Sequence, residues 1–280
     1  MKVLITGAEG QLGKEMMRKL RLLHSVVGLG KNQLDVTNFL KVDDCISKLR
    51  PEIIVHAAAF TGVDQCETDR ITAFKVNSIG AENVAYAANK IGSRMFYISS
   101  DYVFDGRNGI PYVEEDQPNP QSIYGMSKWL GEELVSKYKE TTIIRTSWLY
   151  GHEGKNFVKT MLELAKRNRE IKVVNDQIGS PTYVNDLTES IMTLFHKKNG
   201  IYHVSNSGSC SWYEFAKEIF VKAGYNADCI KPVTTQEYGA LAPRPLYSVL
   251  AHDALDKENV KPLRNWEEAL AQFIEKEVVQ

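Results

Sequence analysis

Tyr124 and Lys128 stand four residues apart, with Ser100 upstream, in a chain that opens Gly7-Ala8-Glu9-Gly10-Gln11-Leu12-Gly13. At that spacing a phenol and an ammonium share one face of a helix. A free tyrosine has a pKa near ~10 and is a sluggish acid–base group. An ammonium one turn away would stabilise the phenolate and draw that pKa toward neutrality. The same Lys128 could hydrogen-bond a nicotinamide ribose. Ser100 would donate to a carbonyl oxygen, hold it beside Tyr124 and favour the charge that develops there. The chemistry is proton delivery to an oxygen whose carbon receives a hydride. Tyr-x-x-x-Lys occurs three times, at Tyr86/Lys90, Tyr124/Lys128 and Tyr213/Lys217, so context must choose. Only Tyr124 opens a helix after a loop containing Pro118 and Pro120, and only it follows a strand ending in hydroxyls, Ser99-Ser100. Doubly wound sheets bind ligands at such strand ends.

The glycines suggest what carries the hydride. Gly7, Gly10 and Gly13 follow the first predicted strand and enter the first helix, with Gln11 and Leu12 between them. Such a turn lets backbone approach a pyrophosphate, and the helix N-terminus then faces negative charge. The spacing departs from Gly-x-Gly-x-x-Gly, and a tight turn at a helix contact is the rival reading. After the second strand the chain reads Gly28-Leu29-Gly30-Lys31-Asn32, without the acidic partner usual for an adenosine ribose. With no carboxylate there, Lys31 could attract a 2′-phosphate. NADPH is therefore expected to serve at least as well as NADH. Asp35 and Val36 would border the adenine.

These groups need a frame. Strand-length apolar runs at Lys2–Thr6, Val26-Val27, Glu52–His56, Arg94–Ser99 and Thr141–Thr146 alternate with helical patterns at Gln11–Leu23, Phe39–Leu49, Ile71–Ile91 and Ser127–Lys139. That alternation predicts an α/β fold, a doubly wound parallel, Rossmann-like sheet covered on both faces. Past Tyr150 the pattern loosens. Helices at Asn156–Arg167, Tyr183–Phe195, Trp212–Ala223 and Trp266–Val278 mix with short strands at Ile171–Val174 and Tyr202–Ser205, and Lys231–Leu246 reads as an ordered loop. Residues 1–150 are read as the dinucleotide-binding domain. Residues 151–280 are read as a smaller C-terminal α/β substrate lobe, with a soft, interleaved boundary.

Composition excludes several classes. With 280 residues and a net charge of -1, no global field recruits nucleic acid or an acidic membrane. No apolar run reaches spanning length. The start enters a strand without a signal-peptide core, so the chain is read as cytoplasmic. Cys45, Cys66, Cys210 and Cys229 include no Cys-x-x-Cys pair and are read as packing thiols. The histidines show no His-x-x-x-His spacing for zinc.

The chain resembles the extended short-chain dehydrogenase/reductase family, and within it the dTDP-4-dehydrorhamnose reductases. The likeness runs through Thr6-Gly7-x-x-Gly10-Gln11-Leu12-Gly13, Ala57-Ala58-Ala59-Phe60-Thr61-Gly62-Val63-Asp64, Val76-Asn77, Ser99-Ser100-Asp101-Tyr102-Val103-Phe104-Asp105-Gly106 and Tyr124-Gly125-x-x-Lys128. It continues through Arg145-Thr146-Ser147-Trp148, Asn175-Asp176-Gln177-x-Gly179-x-Pro181-Thr182 and Arg244-Pro245. The resemblance implies an NADPH- or NADH-dependent reductase of the 4-keto group of a dTDP-linked 6-deoxysugar. Ser100, Tyr124 and Lys128 match the family's catalytic trio. Ser99, Asn77 and the Ala57, Ala58, Ala59 segment fall beside the cofactor. Thr61, Val63, Tyr102 and Trp148 match positions near the sugar, and Asn156, Gln177 and Arg244 could meet nucleotide or diphosphate. Some members place magnesium between acidic residues at a dimer interface, where Glu15 and Asp186 correspond. A homodimer is thus one assembly the resemblance allows, and no metal is assigned. A sugar-nucleotide epimerase or 4,6-dehydratase shares fold and trio, although Tyr102 stands where such a dehydratase carries a second carboxylate. A regulatory subunit like the β subunit of methionine adenosyltransferase is the non-catalytic alternative.

Overall fold

A computed structural model describes residues 1–167 and 169–278. The first half runs β1 (Lys2–Thr6), α1 (Gln11–Leu20), β2 (Ser25–Leu29), α2 (Phe39–Leu49), β3 (Ile53–His56), α3 (Val63–Thr68) and α4 (Arg70–Phe74). A π turn (Lys75–Ile79), α5 (Gly80–Ile91), β4 (Arg94–Ser100), a 3-10 turn (Asp101–Val103), α6 (Ile123–Val135) and β5 (Thr141–Thr146) follow. The second half holds β6 (Leu149–Tyr150), α7 (Phe157–Ala165), β7 (Ile171–Val174), β8 (Ile178–Gly179), β9 (Thr182–Tyr183), α8 (Val184–Leu194) and β10 (Ile201–His203). It ends with β11 (Asn206–Ser207), β12 (Cys210–Ser211), α9 (Trp212–Lys222), β13 (Ile230–Val233), α10 (Thr235–Tyr238), α11 (Asp253–Lys257), β14 (Leu263–Asn265) and α12 (Trp266–Val278).

The principal sheet has six strands in the order β10-β5-β4-β3-β1-β2, and every pairing within it is parallel. Side chains alternate across it, as a period of two requires. Val3, Ile5, Ile53, Val55, Phe96 and Ile144 meet α1 and α8 residues on one face. Leu4, Ile54, Met95, Tyr97 and Ile143 meet α2 and α5 residues on the other. A further core, including Val158, Phe215, Ile219, Trp266 and Phe273, belongs to the second half. That half nevertheless contributes β10, which pairs with β5 at the sheet's edge.

Four segments differ from expectation. The first helix stops at Leu20 rather than Leu23, because Leu22 and Leu23 are exposed and bury nothing that would extend its apolar stripe. The single helix expected over Ile71–Ile91 is α4, a π turn and α5. The Asp69 side chain caps α4 by accepting from Thr72 N, and the π turn re-aims Asn77 inward. There its Oδ1 accepts from Phe60 N at 2.7 Å, and its Nδ2 donates to Phe60 O at 3.0 Å and to Ser127 Oγ at 2.9 Å. The helix expected from Ser127 begins at Ile123, where Ser122 Oγ accepts from Gly125 N at 3.1 Å, and it ends at Val135. Within Lys231–Leu246, Pro232 lies in β13, paired with β7, and α10 follows. Among the described residues β13 pairs with β7 alone, so proline's missing N–H is tolerated there.

Candidate active site

A cavity of about 570 Å³ opens at the carboxyl ends of β1, β3, β4 and β5, and Trp148, with Lys155 and Trp212 from the second half, closes it. One wall is the glycine turn. Gly7 has φ +68, and a Cβ there would lie 2.6 Å from Ala58 N, so the turn and the loop after β3 can meet only at glycine. Gly10 is the N-cap of α1 and offers no side-chain bond to it. Gln11, Leu12 and Gly13, in the first turn beyond it, line the cavity. Such a helix start offers N–H donors and the positive end of the helix dipole to an anion. The donor set and bare backbone therefore fit a dinucleotide's pyrophosphate. Ala57 and Ala59 line the cavity, whereas Ala58 packs against the opposite core.

One expectation about the segment after β2 is corrected. A carboxylate does stand beside the end of β2, because the Glu9 side chain lies against Gly30. It comes from the glycine turn, not from the segment after β2. Lys31 is exposed. Asp35 Oδ1 accepts from Thr37 N at 3.0 Å and Thr37 Oγ1 at 2.8 Å, bonds that lower its pKa. Val36 is buried, and its carbonyl accepts from Asn83 Nδ2. These three residues and Asn77 do not line the cavity. Replacing Glu9 with glutamine removes a charge that would repel a 2′-phosphate. The kcat/KM ratio for NADPH over NADH is expected to rise roughly threefold to tenfold; an unchanged ratio would refute the electrostatic role.

The trio is gathered at β4 and α6. Ser99 and Ser100 end β4, and both line the cavity with Tyr124 and Lys128. Ser100 Oγ donates to Asp101 Oδ1 at 2.9 Å and accepts from Tyr102 N at 3.2 Å. Tyr124 packs edge-on to Tyr102, with ring centroids 5.5 Å apart. Lys128 Nζ donates to Ile98 O at 2.6 Å and sits 4.1 Å above the Tyr97 ring. Burial lowers its pKa to about 7, while Glu132 pulls it upward. Glu132 is itself held by Arg145 at 2.7 Å in a pair buried on both sides.

The expected drop in the Tyr124 pKa is not what this arrangement produces. Burial raises it above the ordinary value, the Ser100 hydroxyl lowers it in part, and Asp101 raises it further. Tyr124 keeps some exposure to the cavity, yet protein surrounds it on every other side. The Lys128 ammonium is directed to Ile98 O and Tyr97, so it acts on the phenol less than the helical spacing implied.

Asp101 was missed as a cavity residue. It is buried, and among the described residues its Oδ2 accepts no hydrogen bond of ordinary geometry. Burial raises its pKa to about 6, with the Ser248 and Ser100 hydroxyls pulling the other way. Between its unfolded value of 3.8 and about 6 the folded carboxyl holds a proton that the unfolded one has released. The cost of burying the charge is therefore full above about pH 6 and absent below 3.8. Asp101→Asn keeps an acceptor for Ser100. It is expected to raise unfolding free energy by on the order of 2 kcal/mol at pH 8, and by nothing measurable at pH 4. Denaturant melts at both pH values check this, and equal shifts would refute it.

Of the residues expected near a sugar, Thr61, Val63, Tyr102 and Trp148 line the cavity. Three other candidates lie outside that lining. Asn156 caps α7 and donates to Gln11 Oε1 at 2.9 Å and to Gly151 O at 2.8 Å. Buried Gln177 donates to Thr235 Oγ1 at 3.0 Å. Arg244 forks onto Asp64 at 3.1 and 2.9 Å. Glu9, Asp101, Lys155 and Trp212 are lining residues that the sequence reading did not single out. Glu15 accepts from Arg18, and Asp186 accepts from Arg264 and Asn206. Guanidinium groups thus take the oxygens a cation would need, and among the described residues no cluster of three His, Cys, Asp or Glu could hold a metal.

A profile of the family described as RmlD substrate binding domain matches residues 1–279. The spore coat polysaccharide biosynthesis protein SpsK of Bacillus subtilis (strain 168) is 49% identical over 276 residues, covering 98% of this chain and 97% of its own. A dTDP-4-dehydrorhamnose reductase of Sinorhizobium fredii is 38% identical over 286 residues, covering 98% of this chain and 97% of that one. The solved structure of dTDP-4-dehydrorhamnose reductase from Bacillus anthracis str. Ames in complex with NADP matches with a TM-score of 0.96 at 47% identity, covering 98% of this chain and 99% of the other.

Proposed function

Because the chain belongs to the RmlD substrate binding domain family, we infer that it reduces the 4-keto group of dTDP-4-dehydro-L-rhamnose to give dTDP-L-rhamnose, using NADPH or NADH. The observation that carries this reading is a single cavity shared by the α1 N-terminus, the Tyr124 ring and the Ser100 hydroxyl. When bound, the nicotinamide supplies the hydride to C4. The chain's own residues do the rest. Tyr124 holds its proton at neutral pH, burial makes that proton harder still to lose, and the protonated phenol is the form that protonates an alkoxide. Ser100 positions the carbonyl oxygen beside it. Lys128 supplies positive charge behind the site, under the opposing influences of burial and Glu132. Tyr102, Val63 and Trp148 shape the sugar end. Among the described residues no helix is long and apolar enough to cross a membrane.

The test is incubation with dTDP-4-keto-L-rhamnose and NADPH or NADH, with the sugar product identified by NMR. Cofactor oxidation equal to keto-sugar consumed, with dTDP-L-rhamnose as product, is expected. Sugar interconversion without oxidation of added cofactor would instead indicate an epimerase. Tight binding to a synthetase without sugar-dependent oxidation would indicate a regulatory subunit.

A further inference from the structure

We propose that Trp212 is the positioning residue for the sugar: it pins the Trp148 indole so that its edge borders the hexose. The proposal rests on the substrate reading above. Both indoles line the cavity, and they stack with ring centroids 3.5 Å apart and planes 7° from parallel. Trp148 has φ +46, a left-handed conformation that is unfavourable for a bulky residue and persists only where surroundings enforce it.

The enforcing contacts are visible. Gly179 abuts the indole so closely that a Cβ there would lie 2.5 Å from Trp148 Cε2. β8, which carries Gly179, pairs antiparallel with β12, whose Ser211 directly precedes Trp212. Gly179 and Trp212 are therefore fastened to one another by backbone, and Trp148 packs against both. Ser211 also starts α9 with a reciprocal cap: its Oγ accepts from Glu214 N at 3.1 Å, and its N donates to Glu214 Oε2 at 2.7 Å. Behind the stack, Phe157 lies 4.6 Å from Trp212 and stacks on Phe215 in the second core. Trp212 is thus fixed at its helix start and from behind. With Trp212 over one face of the Trp148 indole and Gly179 over the other, that indole borders the cavity by its edge, whose ring C–H and N–H groups suit the ring and hydroxyls of a deoxyhexose. Loss of Trp212 should therefore weaken recognition of the sugar and spare that of the nucleotide.

The test is calorimetric titration of wild type, Trp212→Ala and Trp212→Phe with dTDP-L-rhamnose and with dTDP, each in the presence of NADP+. Trp212→Ala is expected to bind dTDP-L-rhamnose roughly tenfold more weakly than wild type and dTDP unchanged. Trp212→Phe, which keeps an aromatic face, should recover most of the loss. Stacked indoles also couple in circular dichroism, and that couplet should vanish in both variants. Trp212→Ala that keeps wild-type preference for dTDP-L-rhamnose over dTDP, or that weakens both ligands equally, would overturn the proposal alone. Wild-type protein that binds dTDP-L-rhamnose no better than dTDP would overturn the substrate reading as well.

Discussion

Tyr124→Phe is expected to lower kcat by about 10²- to 10⁴-fold, the range associated with loss of a positioned proton donor. Cofactor dissociation constants should stay within about twofold, because only the hydroxyl is removed. The phenylalanine ring keeps the edge-on packing with Tyr102, so the cavity wall should survive. The structure sharpens what the phenol does. Burial holds its proton on, and the Ser100 hydroxyl is the one neighbour that opposes this effect. That suits donation to an oxygen gaining negative charge more than abstraction from an alcohol. Ser100→Ala should therefore hurt less than Tyr124→Phe. Steady-state NADPH oxidation, with cofactor binding followed by fluorescence, checks both. A loss below roughly tenfold for Tyr124→Phe would remove the phenol from the mechanism.

Lys128→Met is the second large effect. The ammonium is fully enclosed, donates to Ile98 O and faces the Tyr97 ring, so methionine fills the space while the charge disappears. A fall in kcat/KM of about 10²- to 10³-fold is expected, as for other fixed electrostatic groups at a reacting centre. The pH profile separates charge from shape. With its pKa lowered to about 7, Lys128 is an ammonium below that value and an amine above it. A contribution that depends on the charge is thus present in acid and declines as pH rises through about 7. The kcat/KM for cofactor, which reports the free protein, should show this alkaline decline in wild type and not in Lys128→Met. Identical profiles would mean that Lys128 serves packing alone.

The parallel sheet and the trio were legible because both leave local signals. Strands buried on two faces read as continuous apolar runs, and a tyrosine and lysine on one helical turn are fixed by the helix itself. What escaped was set by distant chain or by side-chain direction. Trp212 reaches the cavity through the pairing of β12 with β8, which two-residue strands do not advertise. Glu9 was read as part of the glycine turn, and only its folded direction brings it to Gly30. Asn77 owes its inward aim to a π turn, which alanine-rich periodicity in the surrounding helix conceals. Leu22 and Leu23 extended the apparent apolar stripe although they face solvent. The Tyr124 environment differed for another reason. Helical spacing gives the separation of two side chains, but it cannot show that a carbonyl, Ile98 O, would claim the ammonium.

The β10 strand has a consequence for how the chain is made. Every residue of β5 is buried, and the edge of β5 opposite β4 is covered by Ile201–His203. On the ribosome, some fifty residues must still emerge after β5 before that cover exists. Until then the nascent sheet shows an open apolar edge, the feature that most readily recruits other chains. Cutting the polypeptide after β6 would make that interval permanent. The glycine turn and the trio would remain on such a fragment, but their supporting sheet would lack its last rung.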